Sequence, residues 1–90
     1  MQQTICIIVK GKVQGVFYRQ STREKAKELR ITGSVKNLHD DTVEIIATGT
    51  PAQLNQLTEW CRQGPPRAIV TDLNISPLTL QSFTDFSIIR

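Results

Sequence analysis

The sequence has a single histidine and only two cysteines, and this shortage limits the chemistry that the chain can perform. His39 has no second histidine or cysteine at a spacing typical of a metal site, so we expect no metal site. No serine or cysteine forms an evident nucleophile–base pair with it, and no pair of carboxylates suits glycosidase chemistry. Cys6 and Cys61 each lie among apolar residues and are expected to be buried free thiols.

Long hydrophobic runs are also absent. No apolar segment approaches the roughly 20 residues that a membrane helix requires. The first residues, Met1-Gln2-Gln3-Thr4, lack the basic region and cleavage site of a secretory signal. We therefore expect a cytoplasmic protein with no membrane partner. The 90 residues, 39% hydrophobic and 21% charged, predict one globular domain over residues 1–90.

The excess of positive charge is small, because the net charge is +3. This value does not indicate a nucleic-acid partner, and the predicted central strands lack the aromatic residues that an RNA-binding sheet would carry. The charge is unevenly spread: residues 1–36 carry +6 and residues 37–90 carry −3. An anionic ligand would be drawn to the first part. A solvated helix face is the alternative reading for residues 23–30, where basic and acidic residues alternate.

Hydrophobic periodicity and turn residues predict five strands and two helices. The strands are expected at 4–10, 33–38, 42–48, 68–75 and 85–90, and the helices at 21–30 and 51–63, with a loop at 77–84. Ser21 with Glu24, and Thr50 with Gln53, have the pattern of a helix-capping box. Trp60 belongs to an apolar helical stripe and is expected in the core.

The order β-α-β-β-α-β with a fifth strand is typical of an α+β fold. It predicts a ferredoxin-like α/β sandwich, in which a mainly antiparallel sheet carries both helices on one face.

Residues 11–19, with the sequence GKVQGVFYR, connect the first strand to the first helix. A strand-to-helix loop of this kind can direct several backbone N–H groups at one bound anion. Arg19, expected just before the helix, would be mildly unfavourable there unless an anion lay beside it. The alternative to an anion site is that the glycines serve only the turn and that Arg19 is an ordinary surface residue.

Hydrolysis of an acyl phosphate requires little more than an anion site and an arginine, because the carboxylate leaving group needs no general acid.

Two segments resemble the signatures of the acylphosphatase family. Gly11 to Arg19 is similar to the family pattern G-x-V-Q-G-V-x-aromatic-R. Gly33 to Gly49 is similar to the second signature, which contains a basic residue followed by asparagine, here Lys36-Asn37. The similarity extends over essentially the whole chain. The departures are Ser34 for the usual aromatic, Asp41 for the usual hairpin glycine, and Phe17 at a position that is often glycine.

The resemblance implies an enzyme that hydrolyses the carboxyl–phosphate bond without a metal or cofactor. Its partners would be a small acyl phosphate and inorganic phosphate, as product and inhibitor, and we expect a monomer. The phosphoryl group would be bound by residues Gln14, Gly15, Val16, Phe17, Tyr18 and Arg19. The Arg19 guanidinium would clamp two phosphate oxygens, and Asn37 would orient the attacking water, which makes these two the catalytic residues.

Two other readings of the same pattern remain. The chain could be a phosphate or acyl-phosphate binding module without catalytic activity. It could also be a carbamoyl-phosphate domain of the hydrogenase-maturation type, where a similar module begins a much longer chain. The free-standing length of 90 residues favours the enzyme over this last reading.

Overall fold

The computed structural model describes all 90 residues as one five-stranded sheet with two helices. The elements are β1 (Gln3–Lys12), α1 (Tyr18–Glu28), β2 (Thr32–Asn37), β3 (Val43–Gly49), α2 (Pro51–Gln63), β4 (Ile69–Leu78) and β5 (Phe86–Ile89). The strand order across the sheet is β4-β1-β3-β2-β5. All neighbours are antiparallel except β2 and β5, which are parallel.

The core lies between the helices and one face of the sheet. Ile7, Ile45 and Val35 are register partners on three adjacent strands, and each is fully buried. Ala26 of α1 and Leu57 of α2 belong to the same cluster, so both helices cover this face. The predicted α+β, ferredoxin-like sandwich is therefore confirmed.

Helix α1 begins earlier than its sequence predicts. Its N-cap is Phe17, whose backbone is left-handed at φ 63° and whose side chain makes no capping hydrogen bond. The predicted capping box at Ser21 is wrong, because Ser21 lies inside the helix and its backbone N–H donates to the Phe17 carbonyl at 3.0 Å. Arg19 consequently lies in the first helical turn rather than before the helix. Tertiary contacts of Tyr18 account for the early start.

Helix α2 follows its sequence prediction. The Gln53 N–H donates to Thr50 Oγ1 at 3.2 Å, and the Thr50 N–H donates to Gln53 Oε1 at 2.9 Å, so the capping box is present. Cys61 is buried, whereas Trp60 is only half-buried and packs beside Tyr18, with ring centroids 5.7 Å apart. Neither this helix nor α1 is both long and apolar enough to span a membrane.

Strand β4 is longer than predicted, since it runs to Leu78 through Pro77. Proline is tolerated there because β4 is an edge strand, where proline is found within sheets. The following loop is tied to the sheet: the Gln81 N–H donates to Thr4 Oγ1, and Thr48 Oγ1 donates to the Gln81 carbonyl, both at 2.9 Å. Both cysteines are free, as predicted, but Cys6 is only half-buried.

Candidate active site

A cleft of about 300 Å³ lies where the β1–α1 loop meets the ends of β2 and β5. Its lining residues are Val13, Gly15, Phe17, Tyr18, Arg19, Gln20, Asn37, Ile88 and Arg90. The fold explains this grouping, because β2 and β5 are parallel neighbours and Lys36 pairs with Ile89. Asn37 and Arg90, the residues that follow this pair along the chain, therefore lie side by side at the ends of β2 and β5. The lining contains no carboxylate side chain and no histidine.

The loop supplies backbone donors next to this cleft. The N–H groups of residues 15–17 make no hydrogen bond within the protein, and neither do those of the first residues of α1. An α-helix leaves its first N–H groups free and carries partial positive charge at that end. Gly15 has φ 73°, and the space beside its Cα is open, so the loop keeps a conformation that favours glycine. Such an array of free donors is a site for an anion.

Arg19 adds a full positive charge to the helix N-terminus. Its side chain is half-buried and forms no salt bridge with any carboxylate of the chain. A cation at this end of a helix costs about 0.3–1 kcal/mol. Arg90, the other charged residue of the lining, is likewise unpaired. The cleft is thus electropositive and suited to a doubly charged anion such as a phosphoryl group.

Asn37 is the last residue of β2 and contributes an unsatisfied acceptor. Its Oδ1 atom is buried and has no hydrogen-bond partner. Leaving such an atom unpaired costs about 1–3 kcal/mol. The amide can both donate and accept, and it does not titrate. The structure therefore brings Arg19 and Asn37, predicted from separate signatures, to one cleft.

Two of the predicted phosphate-binding residues do not line the cleft with their side chains. The Gln14 Nε2 atom donates to the carbonyls of Leu38 and Thr42, each at 2.9 Å. Val16 is buried in the core. For these two residues only the backbone is available to a ligand. The long-range hydrogen bonds of Gln14 were not predicted. The positions of Val13, Gln20, Ile88 and Arg90 in the lining were not predicted either, because no local sequence pattern indicates these contacts.

Phe17 and Tyr18 are neighbours with opposite environments. The Phe17 side chain is 69% exposed, and its left-handed backbone costs a non-glycine residue roughly 1–2 kcal/mol. Tyr18 is only 1% exposed, and its hydroxyl donates to the Cys61 carbonyl at 2.8 Å. Burial raises the pKa of Tyr18 well above its ordinary value, so the hydroxyl stays neutral. This contact fixes the start of α1 against the end of α2, and so fixes the backbone that carries Arg19.

The β2–β3 turn beyond Asn37 is stabilised locally. Asp40 Oδ1 accepts hydrogen bonds from the Thr42 hydroxyl at 2.6 Å and from its N–H at 3.3 Å, which lowers the pKa of Asp40. Asp41 adopts a left-handed conformation with φ 70°, which Asp tolerates better than most residues. His39 is exposed in the same turn. No three His, Cys, Asp or Glu side chains of the chain come together as a set of metal ligands.

Known proteins share both the sequence and the structure of this chain. The acylphosphatase family model matches residues 5–88. An acylphosphatase of Marinobacter nauticus is 54% identical over 81 residues, which cover 89% of this chain and 88% of the relative. The solved structure of an acylphosphatase from Coxiella burnetii superposes with a TM-score of 0.94 at 43% identity, over 98% of this chain and 93% of that one.

A second solved structure gives the same result. Acylphosphatase from Bacillus subtilis superposes with a TM-score of 0.95 at 35% identity, and each chain is covered completely. The match in sequence and the match in structure both extend over nearly the full length of their relatives. The resemblance seen in the two sequence signatures is therefore confirmed, and the chain belongs to the acylphosphatase family.

Proposed function

We propose that the protein hydrolyses the carboxyl–phosphate bond of acyl phosphates to a carboxylate and inorganic phosphate. One observation carries the proposal: the unpaired Arg19 and the buried, unpartnered Oδ1 of Asn37 line the same cleft. The guanidinium suits the phosphoryl group, and the amide oxygen suits a water. The family membership supports the same reaction.

Phosphoryl binding would rest on charge and on fixed donors. The free N–H groups of the loop and of the first turn of α1 meet the phosphoryl oxygens, and Arg19 contacts two of them in a bidentate arrangement. Donors that are already in position need no reorganisation as negative charge develops in the transition state. Gln14 and Val16 contribute through their backbone alone.

Asn37 would place the nucleophile. Its Oδ1 accepts a hydrogen bond from a water molecule and aligns it with phosphorus, opposite the bond to the acyl oxygen. The water oxygen bonds to phosphorus as the phosphorus–acyl oxygen bond breaks, and the carboxylate leaves with the bonding pair. A carboxylate has a pKa of about 4, so no acid is needed to protonate it. The water's proton passes to the phosphate group.

Hydrolysis of benzoyl phosphate in the presence of EDTA tests this function. We expect turnover by the wild type, competitive inhibition by inorganic phosphate, and a loss of about a hundredfold or more in kcat/KM for Arg19→Ala. Arg23→Ala is the matched control, because Arg23 lies one turn further along α1 and does not line the cleft. Activity that survives Arg19→Ala unchanged would refute the proposal.

The hydrolysis assay, combined with amide hydrogen exchange, distinguishes a binding module from an enzyme. A module without catalytic activity would show phosphate-dependent protection of the 14–19 amides against hydrogen exchange, with no turnover. We further propose that the enzyme acts as a monomer in the cytoplasm. Gel filtration tests the oligomeric state.

A further inference from the structure

Phe17 has two unusual features at the edge of the cleft. Its side chain is 69% exposed, although burial would be favourable for an aromatic ring. Its backbone is left-handed, with φ 63°, a conformation in which bulky residues are outliers. Strain of this kind clusters at ligand sites, where the surrounding structure maintains it. An exposed, strained aromatic residue on a cleft therefore indicates contact with a ligand.

The rest of the lining indicates which part of the ligand Phe17 meets. If Arg19 and the loop N–H groups bind the phosphoryl group, the acyl group lies beside the lining side chains that do not contact phosphate. Phe17 and the half-buried Ile88 supply apolar surface there. Arg90 is compatible with an aromatic acyl group, because a guanidinium stacks on aromatic faces.

We propose that Phe17, with Ile88, forms an acyl-group subsite that selects acyl phosphates with an aromatic or bulky apolar acyl group over those with a small one. This proposal rests on the proposed function and names its substrate class. An aromatic ring in contact with Phe17 gains an offset-stacked or edge-to-face interaction that a methyl group cannot make.

The kinetic test compares benzoyl phosphate with acetyl phosphate. We expect the ratio of their kcat/KM values to fall about two- to tenfold in Phe17→Ala. Phe17→Tyr should keep the wild-type ratio, because it keeps an aromatic face. Leu80→Ala is the control, since Leu80 is 59% exposed but does not line the cleft. Phe17→Gly relieves the backbone strain without restoring the ring, so it should lose the preference as Phe17→Ala does.

A binding test keeps the subsite separate from catalysis. In phenacylphosphonate and acetonylphosphonate a methylene group replaces the bridging oxygen, so neither compound can be hydrolysed at that bond. We expect the wild type to bind the aromatic compound more tightly and Phe17→Ala to lose the difference, even if no turnover is found and the proposed function fails. Ratios that stay at the wild-type value for Phe17→Ala in both tests would overturn the proposal. So would a preference for acyl groups bearing a negative charge that disappears in Arg90→Ala.

Discussion

The side-chain amide of Gln14 donates a hydrogen bond of 2.9 Å to the backbone carbonyl of Leu38, 24 positions along the chain. A second hydrogen bond of 2.9 Å joins the same Nε2 atom to the Thr42 carbonyl. Leu38 directly follows Asn37, so Gln14 ties the loop that carries the free N–H groups to the end of β2, which carries the proposed water-binding amide. These two hydrogen bonds hold the loop against the end of β2.

Replacing Gln14 by methionine should therefore weaken both folding and catalysis. Methionine has similar length but no donor, so two part-buried carbonyls lose their partners. We expect the free energy of unfolding to fall by about 1–3 kcal/mol in urea denaturation. We also expect kcat to fall more than KM rises, because a misplaced water slows the chemical step. Gln56→Met, on the exposed surface of α2, should leave stability and kcat unchanged. Wild-type stability in Gln14→Met would contradict the role of this amide.

The shape of the Arg19 side chain should matter as well as its charge. Lysine keeps the positive charge but cannot form two parallel hydrogen bonds to phosphate oxygens. We expect Arg19→Lys to lower kcat/KM for benzoyl phosphate about ten- to a hundredfold, the value of one charge-assisted hydrogen bond. Arg23→Lys should have no effect. Wild-type kcat/KM in Arg19→Lys would mean that charge alone is sufficient.

Stability should decrease at alkaline pH because two buried groups resist ionisation. Burial raises the pKa of Cys61 from 9.0 to about 12, and it raises the pKa of Tyr18 far above 10.0. Above these ordinary values the unfolded chain releases protons that the folded chain retains, so the free energy of unfolding falls as pH rises. Each group lowers the free energy of unfolding by up to about 1.4 kcal/mol for each pH unit.

Urea denaturation across this pH range measures the effect. The wild type should lose stability from pH 9.0 upwards and lose it more steeply above pH 10.0, where Tyr18 also contributes. In Cys61→Ala the slope between these two values should be shallower. An equal slope in that variant would show that the thiol ionises freely in the folded protein.

The two helix starts show what local sequence can predict. The Thr50 capping box with Pro51 at the first helical position predicted α2 correctly, because the preference of the cap and the path of the chain agree there. Ser21 offered the same pattern for α1, but the buried Tyr18, with its hydrogen bond to the Cys61 carbonyl, is itself the first helical residue, and Phe17 is the N-cap. A local signal therefore failed where a tertiary contact outweighed it.

The site followed the same division. The family signatures mark Arg19 and Asn37, and the structure brings both to one cleft, while their catalytic roles stay predictions. The hydrogen bonds of the Gln14 side chain could not be predicted, because its partners lie across the sheet and no spacing rule links a loop amide to distant carbonyls. The lining by Ile88 and Arg90 depends on the parallel pairing of β5 with β2, which strand order alone does not specify.

The side chain of Asn37 is expected to lower the free energy of unfolding. Its buried Oδ1 has no partner in the folded protein, and an unpaired buried acceptor is worth about 1–3 kcal/mol of destabilisation. We therefore expect Asn37→Ala to be as stable as the wild type or more so, in contrast to most substitutions of partly buried residues. Thermal and urea unfolding measure this directly. A clear loss of stability would indicate that the amide serves the fold rather than the reaction.

The most direct test of the account measures kcat for benzoyl phosphate and the inhibition constant of inorganic phosphate in Asn37→Ala. If Asn37 places the water while Arg19 and the loop hold the phosphoryl group, kcat falls about a hundredfold or more, and the inhibition constant stays at the wild-type value. A kcat close to that of the wild type, or an inhibition constant that rises in step with the loss of kcat, would contradict the division of roles between Asn37 and Arg19.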